Sequence, residues 1–234
     1  MSHDSAPATP AASATPASTL APVFAPDGFV GDPAVQAQWD TRYADRDKLW
    51  SGNPNGALLT EVSGLTPGRA LDVGCGEGAD ALWLVGKGWE VTALEVSGVA
   101  LTRAAAHARD AGVAVRWVHA GLAEAQLPPG SFDLVSAMYP ALRRTHDGAA
   151  ERAMLAAVAP GGVLLLVHHA GMETHEAHDD GFDPTDYVWP SMVAALLDED
   201  WDVEVDELRE RVVPEGGAGT HHADDIVLRA RRIR

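Results

Sequence analysis

Short apolar runs alternate along this chain with stretches in which apolar residues recur every three or four positions. Continuous runs are typical of strands buried in a sheet, and the second spacing is typical of helices that pack on it. The pattern predicts strands at 69–72, 90–95, 113–119, 131–138 and 163–167, and helices at 57–62, 81–85, 98–110, 149–158 and 190–197. A further helix begins at Pro33, after the capping residue Asp32. Such an alternation predicts an α/β fold with a mostly parallel sheet.

The last two apolar segments, 202–213 and 221–231, have no helical stretch between them. Their residues alternate in polarity, and a glycine-rich segment, 214–219, joins them. This arrangement is typical of an antiparallel hairpin. A sheet of seven strands, mostly parallel and ending in an antiparallel pair, is therefore expected.

The first 30 residues consist largely of Ala, Pro, Ser and Thr and carry little to bury. We expect residues 1–30 to form a disordered tail and residues 31–234 to form one domain, with 31–62 as its N-terminal segment. The tail lacks the basic start and apolar segment of a secretion signal. The single cysteine, Cys75, excludes an internal disulfide, which favours a cytoplasmic protein.

A glycine-rich turn follows the first strand. Asp72 ends that strand, Gly74 and Gly76 allow a ligand to lie against the main chain, and Glu95 ends the next strand. In a parallel βαβ unit both carboxylates and the turn lie at the same rim of the sheet, where open α/β sheets bind ligands.

Two classes of cofactor bind at such a rim. The spacing Gly74-x-Gly76-x-x-Ala79, with Glu95 about 20 residues on, also satisfies the dinucleotide fingerprint. Asp72 favours the other class, because a pyrophosphate gains nothing from an adjacent anion. S-adenosylmethionine (SAM) instead carries a sulfonium and an ammonium group that a carboxylate stabilises.

Residues 70–97 resemble the class I SAM-dependent methyltransferases, whose first motif reads like Leu71-Asp72-Val73-Gly74-Cys75-Gly76-x-Gly78. The resemblance implies a Rossmann-like methyltransferase sheet with SAM as cofactor and S-adenosylhomocysteine as product. It assigns the methionine half of SAM to Asp72 and the turn residues Gly74, Cys75 and Gly76, with Cys75 as a packing residue. It assigns the ribose to Glu95.

For the adenine, the resemblance implies contacts with Val96 on one face and Leu122 on the other. Many members of the family offer an aspartate to the adenine amino group in the turn after the third strand. Here Gly121 stands at that position, which leaves adenine recognition to backbone groups and Leu122.

The N-terminal segment carries Trp39-x-x-Arg42-Tyr43 and Trp50-Ser51-Gly52-x-Pro54-Asn55. These patterns look like the small-molecule methyltransferases of the thiopurine and tellurite-resistance branch, in which such segments fold over the cofactor. Trp50, Asn53 and Asn55 are then lid candidates, and Arg42 is a candidate partner for the methionine carboxylate. The alternative is that these aromatic residues only pack in the core.

Further candidate residues lie at the ends of the fourth and fifth strands. At the end of the fourth strand, Met138 is a candidate cofactor contact and Tyr139 a candidate catalytic residue, and the candidate catalytic residues His168 and His169 end the fifth. A histidine with a pKa near neutral serves as a general base, although a structural histidine bonded to a backbone carbonyl is the competing interpretation. A metal site that adds His175, His178 and Asp179 matches no strict ligand spacing, so no metal is predicted.

Charge and length limit the partners. The net charge is −17, and Lys48 and Lys87 are the two lysines, so a nucleic acid would be repelled. No apolar run approaches the roughly 20 residues of a membrane helix. We therefore expect SAM-dependent methyl transfer to an O, N or S atom, or a metalloid, of a small molecule. The alternatives are an NAD-dependent oxidoreductase on the same turn and a SAM-binding module without turnover. The pattern leaves the oligomeric state open.

Overall fold

The computed structural model describes residues 28–174, 183–215 and 222–234 of the 234-residue chain. Most of the predicted tail, residues 1–27, lies outside this part, as do His175, His178 and Asp179. Residues 216–221, which include part of the segment predicted to join the last two strands, also lie outside it.

The described residues form α-helices and strands in the predicted order. The helices are α1 (Pro33–Ala44), α2 (Gly56–Val62), α3 (Ala79–Gly86), α4 (Gly98–Asp110), α5 (Ala149–Ala157) and α6 (Pro190–Ala194). The strands are β1 (Arg69–Val73), β2 (Glu90–Glu95), β3 (Arg116–His119), β4 (Phe132–Met138), β5 (Val158–His169), β6 (Trp201–Glu210) and β7 (Asp224–Arg232). Single 3₁₀ turns lie at Met172–Thr174 and Pro184–Asp186.

The seven strands form one sheet in the order β3-β2-β1-β4-β5-β7-β6. Strands β1 to β5 are parallel, and β7 pairs antiparallel with both β5 and β6. The predicted sheet with its C-terminal antiparallel hairpin is therefore confirmed. The carboxyl ends of β1, β2, β4 and β5 lie at the same rim, where β7 begins.

Helices cover both faces of the sheet and bury its apolar residues. On one face, α2, α3 and α4 pack against side chains such as Ala70, Ala93 and Leu165. On the other, α5 and α6 pack against Leu71, Val135 and Leu164. The side chain of Asp72, two residues after Ala70 in β1, consequently points to the α3 face.

Local capping fixes two of the helix starts that frame the rim. Asp32 accepts a hydrogen bond from the Ala34 N–H at 2.8 Å, with Pro33 at the first helical position. Ser97 accepts one from the Ala100 N–H at 3.1 Å at the start of α4. Both contacts satisfy an amide that the helix itself leaves without a partner.

Several predicted boundaries are wrong. Strands β3 and β7 begin at Arg116 and Asp224, later than the predicted 113 and 221, and β6 ends at Glu210, before the predicted 213. Strand β5 begins at Val158 rather than at the predicted 163, and in this added part Gly161 adopts a φ of 80° and the pairing with β4 shifts register. A bulge of this kind adds residues to one strand without ending it. Helix α6 stops at Ala194, short of the predicted Leu197. In the described ranges, no helix combines the length and apolar character that crossing a membrane requires.

Candidate functional site

The glycine turn lies at the rim, between β1 and α3. Gly74, Gly76 and Gly78 all have left-handed backbone conformations, with φ of 70°, 53° and 87°. The Gly74 and Cys75 N–H groups donate to the Leu94 carbonyl at 2.8 and 3.0 Å, which ties the turn to β2. Burial raises the pKa of the Cys75 thiol, so the reactive thiolate is disfavoured.

Glu95 is buried against this turn. One of its carboxylate oxygens accepts from the Gly76 N–H at 3.0 Å, and the other accepts from the Ser97 N–H at 2.9 Å. Burial raises the pKa of Glu95, and the two amides act in the opposite direction. Each oxygen keeps a further lone pair, so the fixed carboxylate can accept hydroxyl donors from a ligand.

Asp72 is 2% exposed at the carboxyl end of β1, and its Oδ2 has no hydrogen-bond partner in the described part of the chain. Asp80, also buried, accepts from the Asn55 backbone N–H and from its Nδ2, both at 2.7 Å. Burial, and then the charges of Asp80 and Glu95, raise the pKa of Asp72. The rim thus holds three buried carboxyl groups, and none of them has an ion-pair partner among the described residues.

Glu77 binds the N-terminal segment to the glycine turn. Its carboxylate accepts from the backbone N–H groups of Leu49 and Trp50, at 3.2 and 3.1 Å, and pairs with Arg103 of α4 at 2.9 Å. The Trp50 indole N–H donates to the Tyr43 hydroxyl at 3.0 Å. A side chain at Gly76 would begin 2.8 Å from that hydroxyl, so Tyr43 and Trp50 lie directly above the turn.

The lid candidate Asn53, and Arg42, the candidate partner of the methionine carboxylate, lie elsewhere. The Asn53 side chain donates to the Glu215 carbonyl at 2.8 Å, so it joins this segment to the end of the C-terminal hairpin. Arg42 is exposed, with its guanidinium 5.1 Å from the centre of the Trp39 ring. The structure therefore brings Trp50 to the turn, and it leaves Asn53 and Arg42 outside it.

The residues predicted to face adenine line a cleft of about 550 Å³ beside α1. Val96, Gly121 and Leu122 form one wall, and Arg143 lies on another. A side chain at Gly121 would collide with the Glu124 carboxylate, since its Cβ would lie 2.2 Å from Oε2. Glu124 therefore brings a carboxylate to the place where the family pattern has an aspartate.

Tyr139 follows β4 at the rim with a φ of 51°, a left-handed conformation that is unusual outside glycine. Its N–H donates to the Val167 carbonyl at 2.8 Å, and its hydroxyl donates to Asp225 Oδ2, also at 2.8 Å. Burial, followed by the Asp225 charge, raises the pKa of Tyr139. The preceding residue, Met138, packs into the core.

His168 is buried beside Trp189, with 4.1 Å between the ring centres. Its Nδ1 accepts from the His169 backbone N–H at 3.0 Å. Burial, with the neighbouring His169 second, lowers the pKa of His168 to about 4. The imidazole is neutral at physiological pH, and its Nδ1 is occupied by a backbone amide, whereas the structural interpretation from the sequence had a backbone carbonyl as the partner.

His169 lies at the centre of a group that we call the rim cluster: Tyr139, His169, Arg211, His222 and Asp225. Its ring stacks on Tyr139 at 4.2 Å and on His222 at 3.8 Å. Arg211 Nη1 lies 3.2 Å from His169 Nδ1, and its guanidinium lies 4.7 Å from the centre of the Tyr139 ring. Asp225 is 2% exposed.

The sequence analysis did not assign to the site five residues that the structure brings to it: Glu77, Glu124, Arg211, His222 and Asp225. The pairing of β5 with β7 places Asp225 directly opposite His169. Only the register of the hairpin brings them together, and that register cannot be read from the alternation alone.

A comparison with protein families matches residues 70–162 to a model described as a methyltransferase domain. The matched range contains β1 to β4, the glycine turn and the start of β5. This part of the chain, less than half of its length, is similar to a methyltransferase domain.

Two curated proteins named as methyltransferases are similar to part of this chain. An uncharacterized methyltransferase of Mycobacterium tuberculosis is 36% identical over 123 residues, which is 52% of this chain and 61% of that protein. A ubiquinone biosynthesis O-methyltransferase of Pectobacterium carotovorum is 32% identical over 136 residues, 57% of each chain. The chain spans about three fifths of the length of the curated relatives it matches.

Solved structures agree in fold. A protein studied for the conversion of a disulfide bond into a thioacetal group during echinomycin biosynthesis is 25% identical, with a TM-score of 0.67 over 85% of this chain and 92% of that chain. TehB from Haemophilus influenzae is 16% identical, with a TM-score of 0.56 over 84% of this chain and 66% of that chain. The second likeness is one of fold alone.

Proposed function

We propose that this protein transfers the methyl group of SAM to a small molecule. The observation that carries the proposal is Asp72: a buried carboxyl group beside the glycine turn, with one oxygen that no described residue satisfies. Leaving a buried acceptor without a partner costs about 1–3 kcal/mol, which a ligand that supplies the partner regains.

The charge of the site favours SAM over a dinucleotide. Asp72, Asp80 and Glu95 lie close enough for the charges of the other two to raise the pKa of Asp72. A sulfonium or ammonium group would stabilise the ionised carboxylates, whereas a pyrophosphate would be repelled. This argument also disfavours the NAD-dependent alternative, in agreement with the similarity to a methyltransferase domain.

The remaining contacts fit the rest of the cofactor. Glu95 has lone pairs left for the ribose hydroxyls, and the cleft lined by Val96 and Leu122 offers apolar faces for the adenine. Glu124 adds an acceptor for the adenine amino group at the position of Gly121. When bound, SAM supplies an activated methyl group, so the protein chiefly aligns the acceptor and excludes water.

A small acceptor is supported by the charge and by the relatives. With a net charge of −17, the protein would repel a nucleic acid. One curated relative is named as an O-methyltransferase of ubiquinone biosynthesis, which makes an oxygen acceptor a reasonable first choice. Nitrogen, sulfur and metalloid acceptors belong in the same screen.

Calorimetric titration with S-adenosylhomocysteine and, separately, with NAD tests the cofactor assignment. We expect binding of the first and no response to the second. Asp72→Asn and Glu95→Gln should each weaken binding by roughly 1–3 kcal/mol, because each removes a charge that the ligand meets. Asp206→Asn, an exposed substitution on β6, is the matched control.

Binding of NAD without S-adenosylhomocysteine would refute the assignment. A screen of small acceptors for release of S-adenosylhomocysteine then tests turnover. Tight cofactor binding with no turnover on any acceptor would favour the alternative function, a SAM-binding module without catalytic activity.

A further inference from the structure

The rim cluster joins three parts of the fold at the edge where β4 and β5 end. Tyr139 follows β4, His169 ends β5, and Arg211, His222 and Asp225 belong to the C-terminal hairpin. Tyr139 is held in a left-handed backbone conformation, which costs about 1–3 kcal/mol and is tolerated mainly at functional sites.

Neither histidine at the end of β5 has a lone pair available for an acceptor proton. His168 Nδ1 already accepts the His169 backbone N–H. Arg211 is a donor at every nitrogen, so His169 Nδ1, 3.2 Å from its Nη1, must be the acceptor of that contact. Neutral His169 therefore carries its own proton on Nε2, and that nitrogen cannot take another.

The Tyr139–Asp225 pair offers the alternative route for a proton. The Tyr139 hydroxyl donates to Asp225 Oδ2 at 2.8 Å. Asp225 Oδ1 makes no hydrogen bond within the described ranges and lies 3.6 Å from His169 Nδ1 and 3.9 Å from Arg211 Nε. The guanidinium of Arg211, above the Tyr139 ring, stabilises negative charge on either oxygen.

We propose that the methyl acceptor is a phenolic hydroxyl and that Tyr139, backed by Asp225 and Arg211, removes its proton. This inference rests on the proposed methyl transfer. The acceptor oxygen bonds to the methyl carbon as the carbon–sulfur bond breaks and its electron pair stays on sulfur. The acceptor proton passes to Tyr139 Oη, and the Tyr139 proton passes to Asp225 Oδ2, from which solvent later removes it.

Acidity selects the phenol class. The Tyr139 side chain is itself a phenol, and burial, followed by the Asp225 charge, raises its pKa above the ordinary value of about 10. A phenolic acceptor is then the more acidic of the two hydroxyls, so proton transfer from it to Tyr139 Oη is favoured while the Tyr139 proton moves to Asp225. An aliphatic alcohol is far less acidic, and this relay would leave it protonated.

The test compares rates on a phenol series of increasing acidity: phenol, 4-cyanophenol and 4-nitrophenol, in weakly alkaline buffer. Asp225→Asn keeps the shape of the side chain but cannot take up the proton. We expect kcat on phenol to fall roughly 100-fold, the low end of general acid–base catalysis. The decrease in kcat should become smaller along the series. For 4-nitrophenol, which is largely ionised before it binds, the variant and the unmodified protein should have nearly the same kcat.

Asp206→Asn serves as the matched control, and Tyr139→Phe, which keeps the ring, should reproduce the acidity dependence if Asp225→Asn fails to fold. S-adenosylhomocysteine affinity should remain within about twofold in both active-site variants. A loss that is equal on all three phenols, or no loss, would overturn the relay. Cofactor binding without methylation of any phenol would overturn the acceptor class, whereas absent cofactor binding would instead contradict the proposed function.

Discussion

At the scale of single residues, Gly121 and Glu124 act as a pair. The missing side chain at Gly121 leaves room for the Glu124 carboxylate, which would otherwise overlap a Cβ at 2.2 Å. The resemblance implies an acidic side chain at position 121, and in this chain the carboxylate comes instead from Glu124, three residues later. In the sequence, the one sign of this exchange is an acidic residue three positions after the glycine.

Glu124→Ala should weaken the binding of S-adenosylhomocysteine by about 0.5–1.5 kcal/mol, the net value of one hydrogen bond at an exposed site. Calorimetry provides the measurement. The deaminated analogue, S-inosylhomocysteine, has an acceptor oxygen in place of the donor amino group and is the control ligand, because its affinity should not fall when Glu124 is replaced. An equal loss with both ligands would show that Glu124 acts on the shape of the cleft.

At the scale of elements, the N-terminal segment and α4 meet at one carboxylate. Glu77 belongs to the glycine turn, yet it accepts from two amides of the segment and pairs with Arg103. Arg103 also donates to the carbonyls of Tyr43 and Arg46, at 3.0 and 2.7 Å. The turn that would hold the cofactor therefore also positions the segment above it.

Glu77→Gln should loosen this segment, because an amide oxygen is a weaker acceptor and cannot pair with Arg103. We expect the free energy of unfolding to fall by roughly 1–3 kcal/mol, the cost of disrupting a buried charged hydrogen bond. Hydrogen exchange should speed up at residues 49–55 in particular. Arg152→Gln, which removes an exposed surface ion pair, is the control and should change stability by less than about 1 kcal/mol.

At the scale of the whole molecule, the buried carboxyl groups that are proposed to favour cofactor binding lower the stability of the ligand-free protein. Burial raises the pKa values of Asp72, Asp80 and Glu95, so the folded protein without ligand takes up protons that the unfolded chain does not. These groups therefore make the protein less stable as pH rises above their ordinary range, about 4. His168, whose pKa is lowered from 6.5 to about 4, acts in the opposite direction between those two values.

Asp72→Asn should raise the melting temperature of the ligand-free protein while it weakens cofactor binding. The gain in melting temperature should be near zero below about pH 4, where the Asp72 carboxyl group is protonated in both the folded and the unfolded protein. The gain should grow as pH rises. We expect roughly 1 kcal/mol at neutral pH, or about 2–4 °C. Thermal melts of both proteins across pH measure the difference, and a gain that shrinks with rising pH would contradict the raised pKa.

The sequence predicted the sheet and the placement of its rim, because both depend on local periodicity and on the direction of parallel strands. It placed Asp72, Glu95, Tyr139 and His169 at one edge for that reason. It missed the partners of Tyr139 and His169, since Arg211 and Asp225 reach them through antiparallel pairing whose register depends on the hairpin. It suggested Arg42 for the site from a motif, whereas stacking on Trp39 holds that side chain in solvent.

The C-terminal hairpin lies wholly beyond residues 70–162, the range that matches the methyltransferase domain. It nevertheless contributes Arg211, His222 and Asp225 to the rim, and its Arg209 and Arg229 pair with Glu61 of α2. Under the proposed function, Asp72, Glu95 and Glu124, which would contact the cofactor, lie within the matched range, whereas Arg211, His222 and Asp225 of the rim cluster lie in the hairpin. Grafting a hairpin from a relative, together with α2, would consequently exchange part of the proposed acceptor site and leave the residues proposed to contact the nucleoside unchanged.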